Sequence, residues 1–137
     1  MTSFHIWIAG KATPQGSKKG FVINNRAVLV DASEGNKAWR KHVSDRIREH
    51  ADYIRYSGPV HVTVVFYMKK AKSNRTQFMM QKPDIDKLCR SVLDAITDSE
   101  MIEDDSRVTS LTAYKHWETD DMPPGVYIRI HQKQPDA

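Results

Sequence analysis

Lys82-Pro83-Asp84-Ile85-Asp86-Lys87-Leu88-Cys89-Arg90-Ser91-Val92-Leu93-Asp94-Ala95-Ile96-Thr97-Asp98-Ser99-Glu100-Met101-Ile102-Glu103-Asp104-Asp105-Ser106-Arg107-Val108 is the stretch from which the rest of the chain can be read. Pro83 suits the first turn of a helix. Ile85, Leu88, Cys89, Val92, Ala95 and Ile96 recur at helical spacing, which predicts a helix to about Asp98 with those side chains inward. A short turn follows, and Arg107 to Trp117 is compatible with a strand. Acidic pairs stand at both ends of this unit: Asp84 with Asp86 where the helix begins, and Asp104 with Asp105 after it ends.

Working outward, Val60, Val62, Val64 and Phe66 alternate with His61, Thr63, Val65 and Tyr67, and Gly58-Pro59 breaks the chain ahead of them. That alternation predicts a strand, as does Phe4, Ile6 and Ile8 against His5 and Trp7. Phe21-Val22-Ile23 and Ala27-Val28-Leu29-Val30 around Asn24-Asn25 predict a hairpin. Ser33 is a suitable N-cap for a helix running to about Tyr53, with Ala38, Trp39, Val43, Ile47 and His50 on its inward face. Lys37, Lys41, Arg48 and Arg55 then look outward. Residues 69–83 are basic, irregular and expected to be mobile. Val126 to Ile130 is the last strand, and residues 132–137 are expected to fray. The order β, hairpin, α, β, α, β, β predicts an α/β (α+β) fold. One domain over residues 1–137 would hold a single mixed sheet with two main helices packed on it.

Composition narrows the function classes. At 39% hydrophobic residues the chain can build one modest core. No apolar run approaches the roughly 20 residues that span a bilayer, so no membrane partner is expected. The start of the sequence alternates like a strand and lacks a signal-peptide pattern, and the single Cys89 agrees with a reducing compartment. A cytoplasmic location is the expectation. The formal net charge of +4 raises the odds of a polyanionic partner only slightly.

The acids carry the chemistry. Singly, Asp84 and Asp86 read as helix N-terminal acids and Asp104 and Asp105 as turn residues. Together they concentrate like charge that would repel unless neutralised, and oxygen-rich clusters suit Mg²⁺ or Mn²⁺. Arg90, four residues after Asp86, reads either as an ordinary ion-pair partner or as a cation held beside a metal site for a phosphate. Asp94, one turn further, reads as a partner of Arg90 rather than a ligand. Lys18, Lys19, Lys69, Lys70, Lys72, Arg75, Lys82 and Lys87 are candidate phosphate contacts if they flank the acids. The histidines lack metal-ligand spacing, and there is no Walker loop or nucleophile elbow. A basic chain with an acidic metal site points to nucleic-acid phosphodiester chemistry. A DNA-binding module without catalysis, its acids serving as caps, is the alternative.

Lys82-Pro83-Asp84-Ile85-Asp86-Lys87-Leu88, Leu93-Asp94-Ala95-Ile96 and Ile102-Glu103-Asp104-Asp105-Ser106-Arg107-Val108 together resemble the RusA family of Holliday junction resolvases. The resemblance is strongest over residues 82–108 and implies a homodimeric, Mg²⁺-dependent endonuclease that nicks four-way or branched DNA symmetrically, in a bacterial or phage-infected cell. It carries the metal-ligand role to Asp84, Asp86 and Asp105, with Asp104 a weaker candidate. A basic residue that is usually Lys in the family falls on Arg90, and a usual Asn falls on Lys87. A broader nuclease acting on flaps or forks has the same sequence signature.

Overall fold

The computed structural model describes residues 3–16, 18–23, 26–31, 35–74 and 76–134, with the backbone alone described over 18–23 and 26–31. Its elements are β1 (Ser3–Ala9), β2 (Lys18–Ile23), β3 (Arg26–Asp31), α1 (Asn36–His50), β4 (Val60–Met68), α2 (Ile85–Asp98), a single 3₁₀ turn (Asp105–Arg107), β5 (Val108–Trp117) and β6 (Gly125–Gln132). This is the expected α+β fold with one mixed four-stranded sheet and two helices. Strands run in the order β1-β6-β4-β5, while β2 and β3 pair as a separate hairpin. β4 and β5 are parallel and α2 is their crossover; β6 is antiparallel to both β1 and β4.

Alternation decides which side of the sheet is dry. Phe4, Ile6, Ile8, Val60, Val62, Val64, Phe66, Val126, Ile128 and Ile130 are buried in one cluster with Trp39, Val43 and Ile47 of α1 and Leu88, Val92, Ala95 and Ile96 of α2. Asn36 donates to Ser91 Oγ at 2.9 Å between the helices, so that buried polar pair is satisfied. Cys89 is buried, and burial pushes its thiol up to about 11, which leaves it unreactive.

Several boundaries differ from expectation. α1 starts at Asn36 with Gly35 at φ 80° as N-cap, and Ser33 lies outside the described residues, as do Asn24 and Asn25. It stops at His50 because Asp52 and Tyr53 take left-handed φ values of 48° and 65°. Its buried stripe is Asn36, Trp39, Val43, Ser44 and Ile47, so Ala38, one residue out of phase, is exposed and His50 is too. Ile85, expected inward, is 36% exposed because it opens α2 at the rim of the core. β6 extends through Gln132, and Lys133 N–H donates to Pro59 O at 3.0 Å, so order persists past the expected onset of fraying.

Residues 69–74 and 76–83, expected to be mobile, are pinned by contacts with the rest of the chain. Met79 is buried, Trp117 Nε1 donates to Thr76 O at 3.2 Å, and Glu118 accepts from the Lys70 N–H at 2.9 Å. Lys115 Nζ donates to Gln81 O at 2.7 Å and Pro83 O at 2.9 Å, anchoring the segment where it enters α2. No alternation marks this segment in sequence, since its fixing points lie on β5 and on Glu118 just past its end.

Candidate active site

α2 separates the acids into two groups. Asp84 occupies the N-cap position, yet its carboxylate makes no capping bond and instead accepts from Lys87 Nζ at 3.2 Å. Asp86 is exposed in the first turn. At the other end, Asp105 lies against α2: Thr97 Oγ1 donates to Asp105 Oδ1 in a short hydrogen bond. Asp94 faces Asp105 closely enough for the two carboxyl groups to share a hydrogen bond.

Asp94 is therefore not the partner of Arg90. It forms an ion pair with Arg40 of α1 at 3.6 Å. Arg40 also grips Asp98 with both arms, Nε to Oδ2 at 2.5 Å and Nη2 to Oδ1 at 2.9 Å. This charged fork is the strong form of the Arg–carboxylate contact. Its hydrogen bond to Arg40 holds the Asp98 carboxyl below the usual range. Asp94 goes the other way: burial, then the hydrogen bond and charge of Asp105, push it up to about 6 despite Arg40. Two carboxylates facing each other with one cation between them and Asp98 form an under-neutralised cluster, the electrostatic condition that favours a bound cation.

Asp104 does different work. Its Oδ2 accepts from Ser106 N–H at 2.9 Å, capping the 3₁₀ turn and presenting Asp105, rather than itself, to α2. Arg90 follows Asp86 by four residues and precedes Asp94 by four, so it stands between the acid groups on one helix face and is exposed. Asp86 and Asp94 are eight residues apart on α2, which at 1.5 Å per residue is about 12 Å. Among the described residues no group of three or more His, Cys, Asp or Glu side chains is arranged to hold a metal ion.

The family model for the endodeoxyribonuclease RusA matches residues 11–131, which includes both acid groups, both helices and five of the six strands in full or nearly so. The chain belongs to the RusA family of endodeoxyribonucleases. A comparison with curated proteins found no match.

In this RusA-family chain the basic residues fall into distinct places. Lys69, Lys70, Lys72 and Lys82 are exposed on the pinned segment, and no ion pair engages them among the described residues. Lys87 is turned toward Asp84. Arg75 and the side chains of Lys18 and Lys19 lie outside the described residues. Lys37, Arg40, Lys41 and Arg48 border a depression of about 340 Å³ beside Asp98 on the outer side of the helix pair. No helix among the described residues is long and apolar enough to cross a membrane.

Arg40, and the contact of Asp94 with Asp105, are the parts of the candidate site that the sequence patterns missed. Arg40 sits 54 positions before Asp94, and no motif joins them; only the packing of α1 on α2 does. The expected consequence is direct. Arg40→Met should lower stability by about 1–2 kcal/mol, because it removes a charged bidentate bond and leaves Asp94, Asp98 and Asp105 uncompensated. Arg40→Lys should recover only part of that loss, since an ammonium cannot make the two-armed contact. Urea unfolding of the two variants at pH 7.5 in EDTA measures both.

Proposed function

We propose that this RusA-family protein is a Mg²⁺-dependent endonuclease that resolves four-way DNA junctions by paired, symmetric nicks. The observation that carries the reading is the division of its carboxylates: a facing Asp94–Asp105 pair at one end of α2, and Asp84 with Asp86 at the other, Arg90 lying between. All are oxygen donors, and Mg²⁺ is commonly held by one or two carboxylates with the remaining positions left to water and phosphate. The donor set therefore fits the ion, with Asp105, Asp84 and Asp86 as ligands and Asp94 beside Asp105. When bound, Mg²⁺ supplies a water of lowered pKa and charge neutralisation at the phosphodiester.

The chain's own residues do the rest. Arg90 holds the scissile phosphate electrostatically midway along the acid-bearing face. Thr97 fixes the orientation of Asp105 through its hydrogen bond. Lys69, Lys70, Lys72 and Lys82 take the DNA backbone of a flanking arm. Because Asp84 and Asp86 stand at the N-terminal end of α2 and Asp105 lies beyond its C-terminal end, we draw the complete ligand set from two chains of a two-fold dimer. Such a dimer presents two equivalent sites to a junction that is itself two-fold symmetric.

The deciding measurement sets a four-way junction beside a linear duplex, a fork and a single strand, each with Mg²⁺ or EDTA. Paired nicks confined to the junction and absent in EDTA are expected. Equal cutting of all four substrates indicates a broader nuclease, and metal-independent binding without cleavage indicates a binding module; either overturns the resolvase reading.

A further inference from the structure

Two large apolar side chains stand out in solvent on the pinned segment: Phe78 is 69% and Met80 is 72% exposed, while Met79 between them is buried. Leaving a Phe in water forgoes on the order of 1.5–3 kcal/mol of burial. The exposure is also held in place, because Thr76 is tied to Trp117 and Gln81 is tied to Lys115 on either side of these residues. A fixed, exposed aromatic on a lysine-rich segment, six residues ahead of Asp84, needs a ligand rather than a fold to explain it.

Phe78 forms one wall of a cleft of about 450 Å³, whose other lining includes Tyr67, Lys70, His116, Glu118 and Thr119. In the same lining the Tyr67 and His116 rings lie 5.7 Å apart, and outside it Tyr114 stacks on His116 at 6.0 Å with 10° between planes. The cleft is thus lined by three aromatic rings beside Trp117. Its rim carries Lys70, with Lys69 and Lys72 nearby in sequence, none ion-paired among the described residues. Glu118 is the one acid of the lining, and its Oε1 already accepts the Lys70 N–H. A volume of this size suits a small ligand. Aromatic rings beside a lysine in one lining match a base with its phosphate. A second copy of the chain fits less well, since apposing this cleft across a two-fold axis would set lysines against lysines.

We infer that this cleft binds one unstacked nucleotide, its base packed between Phe78 and the Tyr67–His116 wall and its phosphate taken by Lys70. The inference deepens the proposed function, on which it rests: the branch point of a junction is where nucleotides are most readily unstacked, and apolar side chains that enter a base step exploit that. The backbone from Phe78 to Asp84 is anchored through Lys115, so a nucleotide in the cleft sets the strand relative to the N-terminal acids. Phe78 is then a specificity-determining residue for branched over linear DNA.

The test measures binding in EDTA at one fixed salt concentration, with a four-way junction, a linear duplex of the same sequence and a short oligo-dT strand as probes. Proteins are the wild type, Phe78→Ala and Phe78→Tyr. Phe78→Ala should weaken the junction and oligo-dT about tenfold, the loss of one base stack, and leave the duplex unchanged. Phe78→Tyr should restore both. Equal losses on all three probes, or none on oligo-dT, overturn the inference. So does a Phe78→Ala variant whose sedimentation shows a changed oligomeric state, which would make the cleft a protein interface. If wild-type protein binds junction no better than duplex, the resolvase reading fails by itself, and oligo-dT still decides the cleft.

Discussion

Asp105→Asn is expected to reduce junction nicking on the order of 10²–10³-fold while making the metal-free protein more stable. Asn retains an Oδ1 to accept the Thr97 hydroxyl, so the local bond persists while the charge facing Asp94 is gone. In the wild type, the Asp94 carboxyl is raised to about 6 in the folded chain from 3.8 in the unfolded one. A raised carboxyl pKa contributes stability that is fully present below the unfolded value and is lost as pH rises through the folded one. The wild type should therefore lose stability on going from pH 5 to pH 7.5 in EDTA, and Asp105→Asn should lose less. At pH 7.5 the gap is about 1 kcal/mol after solvent screening, or roughly 3–6 °C in Tm. At pH 5 it should nearly close. Adding Mg²⁺ at pH 7.5 should raise the wild-type Tm by mass action and leave the variant unmoved. Thermal melts over that pH range, with and without Mg²⁺, read all of this; a variant less stable than the wild type at pH 7.5 in EDTA removes the repulsive-pair account.

Mixing two dead variants is expected to restore cleavage. If Asp84 and Asp86 of one chain complete the site around Asp105 of another, Asp84→Asn and Asp105→Asn are each inactive alone. Co-refolded or subunit-exchanged, they form mixed dimers in which one site keeps both wild-type acids and the other has neither. Random pairing makes half the dimers mixed, so about a quarter of wild-type sites return. Products should be single nicks in place of paired resolution, because only one site per dimer works. A mixture as inactive as its components would mean that each chain completes its own site, and the two-chain arrangement would be wrong. The two outcomes differ by the whole of the activity, which makes this the sharper test of the site.

Much of this protein can be read from local pattern. The two-residue alternation of Val60 to Phe66 and of Phe4 to Ile8 specifies strands with one dry face, and the six-residue stripe from Ile85 to Ile96 specifies α2. The motif acids are also legible, because Asp-x-Asp and Asp-Asp flank that helix in a fixed order. Small phase errors, as at Ala38 and Ile85, arise where an apolar residue sits just off the stripe or beyond the core's rim. Asp94 was misread for a different reason. Helical spacing offered Arg90 as its partner, but a nearer cation came from Arg40 on α1, and a facing carboxylate came from Asp105 beyond the end of α2. The contacts of residues 69–74 and 76–83 are not legible locally, because the bonds that tie them come from Lys115, Trp117 and Glu118, more than thirty residues away.

The sequence by itself determined the element order, the α+β class, the acidic motif and, through that motif, the family. Each depends on periodicity or spacing within about thirty residues, where the chain's covalent geometry dictates what can be adjacent. Tertiary structure alone decided which charges meet. It set Arg40 against Asp94 and Asp98, turned Asp94 into the neighbour of Asp105, gave Asp104 the capping role, and held Phe78 out over an aromatic cleft. Coulomb and hydrogen-bond energies depend on distance in space, and that distance is fixed by how α1, α2 and the sheet pack together.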